Sequence, residues 1–511
     1  MPIIEGNAAA YFIDRHADKD YRNKPAFIEA LTGKEISYAA LAAETGKMAD
    51  LYKRNGIRPE DRAAMIVLDQ IEFPVIFWGS LKAGVVPVAI NTLLSTDIYE
   101  FILRDSRARA LFVSQELLPV VEPLLGKIGT LEKVFVIGDK VPGGCLSFAE
   151  EIAKSQARDP VTASADECAF WLYSSGSTGQ PKGVRHMHRS LKATADTYGA
   201  QVLGIRNDDT VYSAAKMFFA YGLGNAMSFP LSVGATTVIL STRPTPDAVF
   251  DILNKFKPSI FYGVPTLYAA MNAGLEGGKF KVEHELRRCV SAGEALPREV
   301  GLRWEEHTGC EILDGVGSTE MLHIFLSNKP GEAEYGTSGS PVPGYEVRLV
   351  DEAGTDIGDD GVGELLVKGE SGAIEYWNLR DKSRETFEGW WTRTGDKYEK
   401  ADSGRLVYCG RTDDMFKVSG IWVSPFEVEQ ALIEHPSVLE AAVVSHRDDE
   451  GLEKPRAFVV LKEGAKILDA ELKEHVKKRI GQWKYPRWID YVEELPKTAT
   501  GKIQRFKLRD G

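Results

Sequence analysis

The sequence contains little that would indicate a secreted, membrane-spanning or nucleic-acid-binding protein. Only five cysteines occur in 511 residues and no two of them form a CxxC pair, so neither a disulfide framework nor a zinc ribbon is supported. Basic side chains do not predominate, because 62 Lys and Arg stand against 74 Asp and Glu, a net charge of −12 that argues against a large nucleic-acid face. A run of about 18 apolar residues is missing. The first 20 residues lack a basic start and a clean apolar stretch, so we expect no signal peptide and a soluble cytoplasmic protein without a membrane partner.

What is present is typical of a large globular α/β protein. Hydrophobic residues make up 43% and charged residues 27%, and the length suggests more than one domain. Short runs rich in Val and Ile alternate with helical patterns, which predicts layered α/β architecture with a buried parallel sheet. The predicted strands are 63–68, 85–90, 110–113, 133–137, 169–173, 236–240, 259–262, 288–291 and 311–313, and helices are predicted at 71–81, 244–255 and 297–307.

The composition and hydrophobic pattern of the sequence change after about residue 334. Gly, Pro and Thr become dense and the apolar runs alternate, which predicts a mainly antiparallel β-rich subdomain over about 335–410. A polar stretch follows at 410–420, and we interpret it as a linker. The predicted fold class is therefore a large N-terminal domain (1–413) of layered α/β subdomains plus the β-rich subdomain, with a small mobile α+β C-terminal lid domain (414–511).

The strongest local signal is the twelve-residue string YSSGSTGQPKGV at 173–184. Three glycines, four Ser and Thr hydroxyls and Lys182 follow a predicted strand, a composition suited to cradling phosphate oxygens. The string is not a Walker P-loop, because Lys182 is followed by Gly183 rather than Ser or Thr, and it lacks the GxGxxG of a dinucleotide fingerprint. On composition alone, an ordinary flexible loop remains the alternative.

The whole string closely resembles the phosphate-loop signature of the acyl-adenylate-forming (AMP-binding) enzymes, which include acyl-CoA synthetases, adenylation domains of peptide synthetases and luciferases. Further stretches resemble that family's other motifs in the family's order. They are SAGEALP at 291–297, DGVGSTE at 314–320, TRTGD at 392–396, GRTDD at 410–414 and PKTATGKI at 496–503. The resemblance covers essentially the whole chain and departs at Val316, where the family often has an aromatic residue.

The resemblance implies ATP, Mg²⁺ and coenzyme A as the molecules that the chain binds besides its acid. Roles carried over from the motifs assign the β- and γ-phosphates to Ser174, Ser177, Thr178 and Lys182, the α-phosphate to Thr319, Mg²⁺ to Glu320, the adenine side to Gly293, Glu294 and Ala295, and the ribose to Asp396 with Arg411. The resemblance of the DGVGSTE stretch also implies that Asp314, Gly315 and Val316 bind the cofactor. Lys502 would bridge the carboxylate and the α-phosphate during adenylation. A hard cation such as Mg²⁺ takes oxygen ligands, which suits a glutamate.

The resemblance also implies two half-reactions that use one active site in turn. Family members rotate the small domain between adenylation and thioester formation, and the hinge position corresponds to Asp413. Gly420 would line the tunnel for the thiol, since a bare backbone admits a narrow pantetheine arm. Lys417 would reach the acid site during thiolation.

Within the family, residues 213–225 and 317–328 resemble the aryl-CoA ligases most closely. The acid pocket of that subfamily corresponds to Ala220, Tyr221, Gly317, His323 and Ile324 in this sequence. Ala220, Gly317 and Ile324 would form a flat apolar slot, Tyr221 an aromatic wall and His323 a polar contact near the carboxylate. The implied substrate is a single-ring acid, benzoate first, with hydroxybenzoate, aminobenzoate, furoate and cyclohexanecarboxylate as alternatives.

Two other classes stay open beside an AMP-forming ligase for free coenzyme A. One passes the adenylate to a free carrier protein, and the other is a non-catalytic nucleotide sensor, which is disfavoured because Glu320 and Lys502 are present. A homodimer also stays open. Residues 414–511 carry 17 basic and 17 acidic side chains, so the net charge of −12 falls on residues 1–413. The basic residues after 496 are either a solvated tail or a phosphate-facing group.

Overall fold

The structure is a computed structural model that describes residues 6–174, 180–358, 361–412, 414–418, 421–448, 452–497 and 503–509; at positions 417, 421, 422 and 506 only the backbone is described. The chain divides into two compact units, one of Met1–Glu346 with Val367–Thr392 and one of Val347–Leu366 with Arg393–Gly511. Within the described ranges, no helix is long and apolar enough to cross a membrane.

Over its described residues, the first unit is built on two sheets of eight and nine strands. In spatial order, the eight-stranded sheet comprises Glu375–Tyr376, Lys182–Met187, Cys168–Ser174, Val86–Ala89, Arg62–Ile66, Ala110–Ser114, Lys133–Ile137 and Leu146–Ser147. The nine-stranded sheet comprises Ser340–Pro341, Ile324–Ser327, Ile312–Gly317, Arg288–Ser291, Ile260–Gly263, Thr210–Ser213, Thr236–Ile239, Pro25–Glu29 and Glu35–Ser37. The central pairs of both sheets are parallel, as the near-continuous apolar runs predict.

Helices connect the strands of both sheets in the first unit. The α-helices are Ala8–Phe12, Tyr38–Arg54, Glu72–Ala83, Thr96–Asp105, Leu118–Val121, Phe148–Ala153, His188–Thr194, Ala220–Leu223, Phe229–Val233, Pro246–Phe256, Pro265–Glu276, Arg298–Thr308 and Arg380–Thr386. Segments Ala195–Leu203 and Gly224–Ser228 are π-helical, and Asp14–His16, Gln115–Leu117 and Glu122–Leu124 are 3₁₀ turns. The caps follow sequence chemistry: Ser37 Oγ accepts a hydrogen bond from the N–H of Ala40 where Tyr38–Arg54 begins, and Glu72–Ala83 ends at Gly84 in the left-handed region.

The second unit contains most of a five-stranded sheet, together with a hairpin, a three-stranded sheet and helices. The five-stranded sheet comprises Glu346–Val350, Gly363–Lys368, Phe387–Glu388, Trp391–Lys400 and Leu406–Arg411. The other strands are Phe416–Val418 with Ile421–Val423, and Val438–Arg447, Glu453–Leu461 and Trp488–Tyr491, and the helices are Pro425–Ile433, Asp469–Ile480 and Phe506–Arg509. Apolar side chains of helix Pro425–Ile433 and the three-stranded sheet form one buried core, which includes Val428, Leu432, Val443 and Val459.

The sequence predictions of the layered α/β class are confirmed, and two local expectations need correction. Strands Lys133–Ile137 and Arg288–Ser291 have the predicted bounds. The last three residues of the phosphate string begin strand Lys182–Met187, which was not predicted, and the helix at His188 follows that strand. The predicted linker 410–420 is wrong in part, because Leu406–Arg411 runs into it and Phe416–Val418 forms a strand within it. The domain boundary at Asp413 lies outside the described residues and stays a prediction.

Candidate active site

The two ends of the phosphate string are held by an antiparallel strand pair. Ser174, at the end of Cys168–Ser174, is the register partner of Lys182, at the start of Lys182–Met187. The Ser174 hydroxyl oxygen is buried, and no described residue gives it a hydrogen bond. A buried hydroxyl in that position suits an external acceptor such as a phosphate oxygen. Ser177 and Thr178 lie outside the described residues.

One tyrosine contacts both the lysine and the glutamate of the predicted ATP site. The Lys182 Nζ atom lies 4.4 Å from the centroid of the Tyr376 ring. The Tyr376 hydroxyl donates a 2.7 Å hydrogen bond to Oε1 of Glu320. Lys182 and Glu320 are 138 positions apart in sequence, and the structure brings them to the same side chain.

The segment that carries Thr319 and Glu320 is fixed through its backbone. The Glu320 carbonyl accepts a 2.8 Å hydrogen bond from the N–H of Ala373, and the Thr319 carbonyl lies 2.8 Å from Nε2 of His186. Burial lowers the pKa of His186 to about 4, so the ring is neutral at pH 7. Because a carbonyl only accepts, Nε2 of His186 carries the proton and donates a hydrogen bond to the Thr319 carbonyl oxygen.

Strand pairing assembles most of the predicted acid pocket. Gly317 ends strand Ile312–Gly317, and its register partner in the antiparallel neighbour is Ile324. A Cβ atom on Gly317 would lie 2.5 Å from the His323 carbonyl oxygen, which requires a glycine there. The ring of Tyr221 lies 5.6 Å from that of His323, so Tyr221, Gly317, His323 and Ile324 lie together. Ala220 begins the short helix Ala220–Leu223 that carries Tyr221.

His323 is buried in an aromatic shell and is held by an amide. Its Nε2 lies 3.0 Å from Oδ1 of Asn225, and its ring contacts those of Tyr198, Tyr221 and Phe229. Burial lowers the pKa of His323 to about 3, so the imidazole is uncharged at neutral pH. His323 therefore presents shape but no positive charge to an acid, because its Nε2–H is used by Oδ1 of Asn225 and Nδ1 of the neutral ring can only accept. No sequence signal marks Asn225 as the partner of His323.

The Tyr221 side chain is anchored to the sheet beneath it. Its hydroxyl lies 3.2 Å from the carbonyl oxygen of Gly263 and 3.4 Å from that of Val290. Gly263 and Val290 belong to neighbouring parallel strands, where they lie at or near the carboxyl ends. Ligands of open α/β sheets bind at such ends, so the position of Tyr221 agrees with its predicted place in a pocket wall.

The predicted adenine-side residues follow the same strand ends. Gly293, Glu294 and Ala295 come after strand Arg288–Ser291, and Gly293 has φ +98°, which favours glycine. Asp314 is the register partner of Ser291 in the adjacent parallel strand and is buried, which raises the pKa of its carboxyl well above the usual range. Gly315 and Val316 continue that strand toward Gly317.

The predicted ribose pair lies in the second unit. Asp396 and Arg411 are register partners in an antiparallel pair, and Nη1 of Arg411 lies 3.1 Å from Oδ1 of Asp396. Arg411 also donates to the Thr394 carbonyl. Between them, Gly395 has φ +70°, and a Cβ there would lie 2.8 Å from the Arg411 guanidinium. The TGD sequence thus builds the Asp396 side of the pair into strand Trp391–Lys400.

The remaining predicted residues of the second unit are described less completely. Asp413, Gly420 and Lys502 lie outside the described residues, and only the backbone of Lys417 is described, within strand Phe416–Val418. The basic residues near the C-terminus are not simply solvated. Lys497 pairs with Glu440, Arg505 with Glu429, and Arg509 with Asp414.

The donor set around Glu320 fits a nucleotide-bound Mg²⁺. Mg²⁺ is usually held by one or two carboxylates together with substrate phosphates rather than by a full protein cage. The described residues contain no cluster of three or more His, Cys, Asp or Glu that could hold a metal by itself. Oε1 of Glu320 is engaged by Tyr376, and Oε2 is the oxygen that could coordinate a cation.

Comparison with known proteins gives full-length matches. The profile of the AMP-binding enzyme family matches residues 13–377, and that of the AMP-binding enzyme C-terminal domain matches residues 427–502. The chain is 50% identical to a 4-hydroxybenzoate--CoA/benzoate--CoA ligase of Rhodopseudomonas palustris, over 100% of this chain and 95% of that protein. It is 53% identical to a benzoate--CoA ligase of Thauera aromatica, over 98% and 95%. Among solved structures, a benzoate CoA ligase from Burkholderia xenovorans LB400 matches with a TM-score of 0.89 at 48% identity, over 98% of this chain and 99% of that one.

Proposed function

The chain belongs to the AMP-binding enzyme family, and we propose that it is an AMP-forming aryl-CoA ligase whose acid is benzoate. The observation that carries the proposal is the full-length similarity, at 50% and 53% identity, to two ligases that both have benzoate in their names. The proximity of the Tyr221 ring, Ile324 and the neutral His323 supports an uncharged, single aromatic ring as the group that binds there.

The reaction consists of two displacements. A benzoate oxygen attacks the α-phosphorus of ATP, the bond from that phosphorus to the bridging oxygen breaks, and benzoyl-AMP and diphosphate form. The sulfur of coenzyme A then attacks the benzoyl carbon, AMP leaves, and the thiol proton passes to solvent. Both reactants of the first step are anions, so the protein must offset their repulsion and align them.

Residues of the first unit supply phosphate contacts and alignment. Lys182 and the Ser174 hydroxyl, with Ser177 and Thr178, would hold the leaving diphosphate, and Thr319 would donate to the α-phosphate. Glu320 would hold Mg²⁺, which when bound neutralises phosphate charge. Gly293, Glu294, Ala295, Asp314, Gly315 and Val316 would border the adenine.

Residues of the second unit would complete both half-reactions. Asp396 would accept hydrogen bonds from the ribose hydroxyls, with Arg411 orienting its carboxylate, and Lys502 would stabilise the charge that develops between acid and α-phosphate. For thioester formation we propose that the C-terminal domain rotates at Asp413, with Gly420 lining the thiol path and Lys417 at the acid.

Assay of the purified protein with Mg²⁺, ATP, coenzyme A and a panel of single-ring acids tests the proposal. We expect AMP and benzoyl-CoA in equal amounts, with the highest kcat/KM for benzoate. A higher kcat/KM for 4-hydroxybenzoate would favour the second substrate in the name of the Rhodopseudomonas relative. Benzoate-dependent diphosphate exchange without consumption of coenzyme A would instead indicate transfer to a carrier protein.

A further inference from the structure

We propose that Tyr376 is a positioning residue that holds the Lys182 ammonium and the Glu320 carboxylate at a fixed separation for one nucleotide polyphosphate. The inference rests on the proposed function and adds a residue to its ATP site. Tyr376 lies outside the six motifs that carry the family resemblance. Its two contacts, at 4.4 Å and 2.7 Å, provide the geometric basis.

The tyrosine itself is firmly held. It is buried, its N–H donates a 3.0 Å hydrogen bond to Oγ of Ser383, and its ring packs on that of Phe387. Strand Glu375–Tyr376 pairs with Lys182–Met187, so the backbone that carries the tyrosine is bonded to the backbone that carries the lysine. The N–H of Trp377, the residue after Tyr376, donates a 2.8 Å hydrogen bond to the carbonyl of Gly183, the residue after Lys182.

Neither of the two contacts neutralises the charge of the group it touches. A cation on a ring face is attracted by the ring quadrupole without being neutralised. A hydroxyl that donates to one carboxylate oxygen orients the carboxylate and leaves its charge. A direct salt bridge between Lys182 and Glu320 would offset both charges before any nucleotide arrived, and the phenol provides each group with an alternative neutral neighbour.

The test separates the hydroxyl from the ring. Tyr376→Phe keeps the ring beside Lys182 and removes the hydrogen bond to Glu320. Loss of an outer-shell partner typically weakens metal affinity by about 10–100-fold, so we expect the Mg²⁺ concentration that half-saturates ATP binding to rise about tenfold. ATP binding in EDTA should change less than about twofold, whereas Tyr376→Leu, which also removes the ring, should weaken it several-fold.

Tyr491→Phe is the matched control, because the Tyr491 hydroxyl donates to Oδ1 of Asp469 at 3.1 Å, a tyrosine–carboxylate pair of the second unit. Calorimetric ATP binding across a Mg²⁺ series, without acid or coenzyme A, is measured for the wild type and all variants together with Tm. In a protein that already carries Glu320→Gln, adding Tyr376→Phe should not change the Mg²⁺ dependence of ATP binding any further.

The positioning role is overturned if Tyr376→Phe binds ATP with the wild-type Mg²⁺ dependence, or if Tyr491→Phe shifts that dependence equally. It is also overturned if the effect persists in Glu320→Gln. The binding measurement contains no acid. Failure of the protein to activate benzoate would therefore refute the proposed substrate, and the Mg²⁺ dependence of ATP binding would still test the role of Tyr376.

Discussion

The Nε2 atom of His323 lies 3.0 Å from Oδ1 of Asn225, in the shell of aromatic rings that borders the candidate acid pocket. The two residues are 98 positions apart in sequence, and the amide fixes the imidazole ring plane. A buried ring that is both neutral and oriented can define the shape of a small pocket without placing a charge in it.

Replacing His323 by Ala should impair recognition of benzoate more than turnover. We expect KM for benzoate to rise about tenfold or more, in the range seen when a buried polar contact is removed, with a smaller change in KM for ATP. Initial rates of benzoyl-CoA formation at varied benzoate and varied ATP measure both constants. An unchanged KM for benzoate would remove His323 from the pocket.

Gly224→Ala should disturb the His323 ring by steric overlap. A Cβ at Gly224 would lie 2.4 Å from Cδ2 of His323, and the ring has little room to move. Overpacking of this kind costs about 1–3 kcal/mol, so Tm should fall and KM for benzoate should rise. Gly129→Ala is the control, because a Cβ there meets nothing within 4 Å. Equal behaviour of the two variants would contradict the packing argument.

Asp396→Ala should erase the enzyme's discrimination between ATP and 2′-deoxy-ATP. If the carboxylate accepts hydrogen bonds from the ribose hydroxyls, wild type should prefer ATP, and the variant should treat the two nucleotides alike within about twofold. Diphosphate exchange with each nucleotide measures the ratio. Retention of the wild-type preference would place the ribose contact elsewhere.

Asp413→Pro should separate the two half-reactions. A proline restricts the dihedral angles that the proposed rotation needs, so thioester formation should slow at least tenfold while benzoate-dependent diphosphate exchange stays near the wild-type rate. Equal losses in the two assays would be evidence against a hinge at this position.

Acid should destabilise the fold through histidines that are buried and neutral. Burial lowers the pKa of His16, His186 and His188 to about 4 and that of His323 to about 3, whereas the unfolded chain protonates each near 6.5. Below pH 6.5 the unfolded state therefore binds more protons, and the free energy of unfolding falls, by up to about 2 kcal/mol per histidine at pH 5.

Urea unfolding at pH 7, 6 and 5 measures this loss. His188→Asn removes one of these groups while keeping an acceptor for the N–H of Ala8, which donates to Nδ1 of His188. The variant should lose less stability than wild type between pH 7 and 5. Parallel curves for the two proteins would show that His188 does not titrate in this range.

The fold class could be predicted because the parallel strands are short apolar runs with clear ends. Strand Lys182–Met187 was missed because only two of its six residues, Val184 and Met187, are apolar, and they are three positions apart, so no period-of-two pattern is present. The π-helical turn Gly224–Ser228 has no local sequence signal that distinguishes it from an α-helix.

The candidate site could be predicted only where residues lie within recognisable strings. Tyr376 and Asn225 act through contacts that span 56 and 98 positions, to Glu320 and His323, and single residues at such separations leave no periodicity or spacing to detect. Motif resemblance thus identifies the groups that meet the substrates, and the structure identifies the residues that hold those groups in place.

The most direct measurement is single-turnover analysis of the purified protein with Mg²⁺, ATP, benzoate and coenzyme A, with Lys502→Ala and Lys497→Ala alongside. The account predicts one AMP for each benzoyl-CoA, loss of adenylation by about 10²–10³-fold in Lys502→Ala, and near wild-type rates in Lys497→Ala, whose lysine pairs with Glu440. Wild-type protein that releases no AMP with any single-ring acid would contradict it.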